Sequence, residues 1–188
     1  MKKIFLIISL FFLISCKKDI ETILPGLTKV ELLSYPDRMM WDTIPYKTKN
    51  SFYKELTDNG KLNFDTTMIK ERLVLNESQL KELSELMQET CFVNENVAAC
   101  YMPRHLILFR DKNNKIIAYN EFCFDCVGSR NSKNLDNYQK FCMNDMAELF
   151  KKIGIKYFGN TEEQKRMENN IFDSIQKVKS IKNKKILK

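Results

Sequence analysis

Two strand-like segments, Leu106–Arg110 and Ile116–Phe124, are joined by Asp111-Lys112-Asn113-Asn114-Lys115, and no other unit constrains the fold of this chain as tightly. Both arms are rich in β-branched, leucine and aromatic residues, while the connection is polar. Asparagine tolerates the left-handed backbone region, so Asn114 can stand where a type I turn followed by a bulge asks for glycine. A chain with this hairpin is committed to an antiparallel sheet. Pairing Asp111 with Lys115 sets His105 opposite Glu121, Ile107 opposite Tyr119 and Phe109 opposite Ile117. Continued outward, the same register brings Cys100 opposite Cys126, while a slip of one residue at Pro103 would put Tyr101 there instead. Side chains alternate faces along a strand, so His105, Glu121 and Cys123 are expected on one face, Cys100 and Cys126 on the other.

The remaining segments supply partners for that hairpin. Thr28–Ser34 reads as a strand ending at the turn signal Tyr35-Pro36-Asp37. Residues 42 to 66 are polar, and Asn59-Gly60 within them allows an additional hairpin. Met68–Leu75 reads as a strand running into a helix, because Asn76-Glu77-Ser78-Gln79 forms a capping box and Leu80, Leu83, Met87 and Cys91 follow at helical spacing. A second helix is expected from Leu135 to Lys152, with Tyr138, Cys142, Met146, Leu149 and Phe150 on its apolar stripe and Gly154 as C-cap. A third, more exposed helix covers Thr161 to about Lys182. The expected fold is α+β: a small antiparallel sheet including the 105–124 hairpin, packed with two or three helices.

The N-terminus fixes the compartment. Lys2 and Lys3 precede an apolar run from Ile4 to Ile14, broken by Ser9. A membrane-spanning helix needs ~20 apolar residues, so a basic start with this short run has the pattern of a secretory signal peptide. Leu13-Ile14-Ser15-Cys16 resembles the lipobox of bacterial lipoproteins, which implies cleavage before Cys16 and diacylglycerol on its sulfur. Acyl chains contribute ~0.8 kcal/mol per buried methylene, so such an anchor holds firmly. The organisation expected is therefore a signal peptide at 1–15, a lipidated charged tether at 16–27, an α+β domain at 28–160 and a basic C-terminal helix or tail at 161–188. The net charge of +7 is concentrated toward that tail, where six lysines follow Gln176 without an acid. A basic tail suits a solvated helix end or anionic lipid. An exported lipoprotein has little access to nucleic acid, and no such partner is expected.

Chemistry concentrates between Cys100 and Cys126, which hold three of the six cysteines and the one histidine. Cys100, His105, Cys123 and Cys126 have the look of zinc ligands, yet the regular hairpin sends them to opposite faces while zinc needs its donors to converge. Cys123-Phe124-Asp125-Cys126 has the spacing of a redox motif but ends a strand instead of opening a helix. An oxidising compartment favours a disulfide, and Cys100 with Cys126 is the pair that the register brings together. Cys142 reads as a buried thiol on a helical stripe.

Cys100-Tyr101-Met102-Pro103-Arg104-His105, Phe109–Lys115 and Cys123-Phe124-Asp125-Cys126 together resemble uncharacterised lipoproteins and secreted proteins of Bacteroidetes-type bacteria. The charged Lys17-Lys18-Asp19-Ile20-Glu21 is similar to the segment behind the lipidated cysteine of such proteins, some of which reach the cell surface. The resemblance implies no activity and no catalytic residue. The expectation is a membrane-anchored envelope lipoprotein, most simply on the outer membrane, acting as a non-enzymatic binding or interaction module with a disulfide-stapled hairpin. The alternative is a thiol- or metal-dependent activity, zinc or redox, centred on His105, Cys123 and Cys126.

Overall fold

The computed structural model describes residues 20–42, 56–89, 91, 101–138 and 142–186. Cys16, the segment 1–15 expected to be a signal peptide, and Cys100 lie outside the described residues. The strands are β1 (Leu27–Ser34), β2 (Thr57–Asp58), β3 (Lys61–Leu62), β4 (Glu71–Val74), β5 (His105–Asp111), β6 (Ile116–Cys123) and β7 (Gly128–Asn131). The helices are α1 (Ile20–Ile23), α2 (Arg38–Trp41), α3 (Glu77–Gln88), α4 (Met143–Ile153) and α5 (Glu162–Ile186). Five strands form one antiparallel sheet in the order β4-β1-β5-β6-β7, and β2 and β3 form a separate small hairpin. The α+β expectation holds.

The sheet is covered on both sides, which is why β1 and β5 are nearly continuous in apolar residues. Val30, Leu32, Ile107, Phe109, Ala118 and Phe122 face a core closed by α1, α3 and α4. Leu33, Leu106, Leu108 and Tyr119 face a second core with Tyr35, Trp41, Leu56 and Phe64, against which Ile171 and Ile175 of α5 pack.

Local sequence explains the boundaries. Asn114 has φ 61°, and its amide donates to the Asp111 carbonyl at 2.9 Å, the turn expected of Asp111–Lys115. Asn59 and Gly60 are both left-handed, at φ 50° and 73°, and make the tight turn between β2 and β3. Asn76 and Gln79 close a reciprocal capping box at the start of α3. Gly154, at φ 120°, ends α4.

Three expectations need correction. First, Arg110 pairs with Ile116 but Phe109 pairs with Ala118, so Ile117 is an extra residue in β6. This bulge shifts every later pair by one: His105 stands opposite Phe122, and Leu106 opposite Glu121. His105 and Glu121 consequently point to opposite faces. Second, the helix expected from Leu135 is divided into a 3-10 turn, Lys133–Tyr138, and α4 from Met143, with Cys142 as its N-cap residue. Third, the domain is larger than 28–160. Ile20 and Leu24 are buried at 2% exposure among Leu83 and Met87. Each such side chain contributes roughly 1.5–3 kcal/mol, enough to hold a one-turn helix that has no stability alone. Residues from Ile20 onward thus belong to the core and not to a tether, and the first half of α5 is likewise part of the domain.

Candidate functional site

The cysteines are paired differently from the expectation. Cys126 is bonded to Cys123, with Cα atoms 5.4 Å apart, across the turn from β6 to β7. Cys142 is bonded to Cys91, Cα atoms 5.2 Å apart, and is not a free thiol. The Cys100–Cys126 pairing assumed an unbroken register; with the bulge, Tyr101 is the residue that continues opposite Cys126, and its ring lies on Gly128. Val127, which follows the bonded pair, has φ 51°, a conformation costing a β-branched residue roughly 1–2 kcal/mol.

The expected zinc set does not converge among the described residues. Cys123 and Cys126 spend their sulfurs on each other, and Cys123 and His105 fall on opposite faces of the sheet. Among the described residues, the grouping with metal-donor spacing is Cys91, Cys142 and the Asp145 carboxylate, within 4.8 Å of one another. Its two sulfurs are also joined as a disulfide.

His105 is 2% exposed and packs against Phe158, Phe124 and Phe150, with ring centroids at 4.5, 4.7 and 5.5 Å. Its Nε2–H donates to the Tyr157 carbonyl at 2.9 Å, which leaves Nδ1 as a buried lone pair without a partner. Burial pushes the imidazole down to about 3, a shift the Tyr157 carbonyl opposes. His105 is therefore neutral across the physiological range, a core aromatic with one polar tie.

The opposite face carries a set of buried charges, of which Glu121 figured in the sequence reading as a neighbour of His105 and not as an ion-pair partner. Glu121, fully buried, accepts from Arg38 Nε at 2.7 Å and Nη2 at 3.1 Å, from Tyr35 at 2.9 Å and from Tyr101 at 3.3 Å. Arg38 also reaches Asp42 at 2.7 Å. Burial, reinforced by Glu121, pushes both phenols up, so each stays a neutral donor. Glu168 of α5 accepts from Arg104 Nε and Nη2 at 2.9 and 2.8 Å, from the Tyr157 hydroxyl at 2.7 Å and from the Asp37 amide at 3.2 Å. Burial would raise the Glu168 pKa, but Arg104 and Tyr157 outweigh it and hold the carboxyl below its ordinary range. Asp37 beside it is pushed up to about 6 by burial.

A third cluster lies at the other end of the same face. Glu31 Oε2 meets Arg110 Nε at 2.6 Å and Arg72 Nη1 at 3.0 Å, while Oε1 meets Lys29 at 3.1 Å. Burial favours the neutral acid there, yet Arg110, Lys29 and Arg72 hold it ionised below the usual carboxylate range. Arg72 and Arg110 also floor a cleft of about 520 Å³ between the β2–β3 turn and the β5–β6 turn. Lys61 and Lys115 flank it, and the Gly60 carbonyl accepts from the Ile116 amide at 2.9 Å to lock the two hairpins together.

The signal that sequence reading passed over is the lone charge inside an apolar strand. Glu31 within Val30–Leu33 and Glu121 within Tyr119–Phe124 are each too costly to bury unpaired, so each implied a cation from another element. Among the described residues, no helix is long and apolar enough to cross a membrane. No protein-family model, curated protein or solved structure matches this chain.

Proposed function

We propose that this chain is a lipid-anchored protein of the bacterial cell envelope, most simply on the outer membrane, whose folded domain is a binding module. One observation carries the binding reading. The cleft between the two hairpin turns presents cations to solvent on a rigid sheet, while Glu121, Arg38, Glu168 and Arg104 are consumed in buried mutual pairs. The cleft volume falls within the range of about 300–1,000 Å³ of small-molecule sites, and its lining is polar and cationic. Support for the envelope comes from the Lys2-Lys3 start, the Ile4–Ile14 run and the lipobox-like Leu13-Ile14-Ser15-Cys16. Two disulfides suit an oxidising compartment.

A thiol-dependent activity is the competing reading, favoured by the Cys-x2-Cys spacing of the Cys123–Cys126 bond. Against it, both residues are buried, at 1% and 2% exposure, and they stand at the end of β6 and in the turn after it, not in the first turn of a helix, where a thiolate is stabilised.

Two measurements on the full chain separate these. Metabolic labelling with a fatty-acid analogue should mark the protein, and Cys16→Ala should abolish the label; equal labelling of the variant removes the anchor from the proposal. Non-reducing peptide mapping should recover Cys123–Cys126 and Cys91–Cys142 as bonded pairs. Recovery of Cys123 and Cys126 as free thiols, with zinc near one per chain or with turnover of a disulfide substrate, would replace binding by metal or redox chemistry.

A further inference from the structure

We infer that the cleft between the β2–β3 and β5–β6 turns is a site for a phosphate monoester carried on a small polar body, such as a phosphorylated sugar or the glycerol phosphate of phosphatidic acid. The inference rests on the binding reading above and gives its ligand a class, but it does not depend on the lipid anchor.

The first ground is charge. Lys61, Arg72, Arg110 and Lys115 line the cleft, and no carboxylate is among its described lining residues. Of the acids beside it in the fold, Asp58 stands opposite Lys61 in the β2–β3 hairpin. Glu31 is held by Lys29, Arg72 and Arg110, three cations on one carboxylate. Asp111 Oδ1 accepts the amides of Asn113 and Lys115 at 2.9 Å each, and Asp65 Oδ1 accepts the amide of Thr67 at 3.0 Å. Four cations thus line the cleft, and the carboxylates around it stand outside its lining.

The second ground is preorganisation. Arg110 is a buried floor residue, with its side chain 9% exposed, fixed by Nε to Glu31 and by Nη1 to the Asn114 carbonyl at 2.8 Å. Among the described residues no acceptor meets its Nη2. A guanidinium so pinned loses little freedom on taking an oxyanion. The stem of Lys115 lies over Gly60, where any side chain would collide with it. The missing Cβ at Gly60 therefore makes room for Lys115 at the cleft wall.

The third ground selects the anion. A carboxylate offers two oxygens, and on Glu31 these already take one lysine and one edge of each arginine. A dianion with three free oxygens can engage two guanidinium groups and two ammonium groups arriving from different elements. The cleft volume exceeds what a bare phosphate fills, and the Thr66 and Asn113 side chains at its rim can meet the hydroxyls of an attached body.

The test uses the full chain in micelles of a neutral detergent, titrated by calorimetry at low salt. Probes are inorganic phosphate, a hexose 1-phosphate, the matching neutral hexose, short-chain phosphatidic acid and short-chain phosphatidylcholine. At least one phosphate monoester should bind saturably, tighter than inorganic phosphate, and weaken with added salt. Lys61→Glu combined with Lys115→Glu should weaken it by about tenfold or more at an unchanged melting temperature, since both lysines are exposed. Lys81→Glu combined with Lys133→Glu, exposed and away from the cleft, should leave it unchanged. Preference for the hexose phosphate or for phosphatidic acid identifies the source of the phosphate, and both support the site. Absence of saturable binding by both phosphate monoesters overturns the inference, as does equal binding of the neutral hexose or of phosphatidylcholine, or an equal loss in the distant pair. The fatty-acid labelling result stands or falls separately from all of these.

Discussion

Glu168 is the residue through which α5 is fastened to the sheet domain, and replacing it by leucine should cost about 3 kcal/mol of stability. The figure follows from what the change strands. The Arg104 side chain is 10% exposed and would keep the half-exposed Asp125 carboxylate at 3.2 Å and the Met102 carbonyl at 3.4 Å. It would lose both close oxygens of Glu168. Breaking a buried pair from one side costs roughly 3–5 kcal/mol, and the surviving Asp125 contact argues for the low end. The Tyr157 hydroxyl also loses its acceptor, worth about 1 kcal/mol. Arg104→Met should cost somewhat less, because Tyr157 and the Asp37 amide still serve Glu168. The double variant should lie within about 1 kcal/mol of wild type, since an apolar pair of similar volume replaces a desolvated ion pair. Urea unfolding followed by far-UV circular dichroism gives the three midpoints. A chain ending after Asn160 should lose the Glu168 pairing together with the Ile171 and Ile175 packing, whereas one ending after Val178 should stay within about 0.5 kcal/mol. If Glu168→Leu costs under about 1 kcal/mol, or if the double variant equals the sum of the singles, the fastening argument is wrong.

The pH dependence of stability should be flat between about pH 6 and 5, above the range where Glu31 and Glu168 begin to cost stability, because two buried groups oppose each other. Asp37, raised from 3.8 to about 6, favours the folded state as pH falls through that window, because the folded chain takes up a proton that the unfolded chain does not. His105, lowered from 6.5 to about 3, disfavours it over the same window, because the unfolded chain is then the one protonated. Each slope is about 1.4 kcal/mol per pH unit. Asp37→Asn should therefore lose stability on acidification and His105→Phe should gain it; parallel profiles for the two variants would refute the assignment. Cys142→Ser opens a link between residues 51 apart and should cost about 4 kcal/mol, against about 1–2 kcal/mol for Cys126→Ser, whose loop is short. Equal thermal shifts for the two would count against the chain-entropy account. Asn114→Ala should cost about 1 kcal/mol and Asn114→Gly little or nothing, given φ 61° at that position; a neutral alanine variant in a melting series would contradict the turn geometry.

Features governed by one or two neighbouring residues were legible in the sequence. The Asn114 turn, the Asn76–Gln79 capping box and the Gly154 helix end all depend on local backbone preferences, and each is where it was expected. The bulge at Ile117 left no such mark. Ile116 and Ile117 are both apolar, and a strand buried on both faces gives no alternation from which to count. One extra residue then moved Glu121 to the face opposite His105 and replaced Cys100 by Tyr101 in the register beside Cys126. Distant pairings were likewise hidden. Cys91 and Cys142 meet because α3 and α4 pack side by side, and Arg104 finds Glu168 because α5 folds back on the domain. The cleft itself is assembled from two turns and two strands, so no contiguous motif announced it.

The burial of Ile20 has a mechanical consequence if Cys16 carries lipid as proposed. Four residues lead from Cys16 to Ile20, and a fully extended chain covers at most roughly 14 Å in that distance. A globule of this length has a radius of gyration of about 15–16 Å, so the leash is shorter than the body it restrains. Such a protein cannot swing through a hemisphere of space as a long-stalked lipoprotein does. It rests on the bilayer as a footplate, with α1 beside the lipid and its tilt nearly fixed. Lateral diffusion then governs which partners it meets, and reach contributes little. A Gly/Ser spacer of twenty residues inserted between Cys16 and Ile20 would leave the fold and the anchor intact while freeing that orientation. Any function that depends on pose against the membrane should fail in that variant alone.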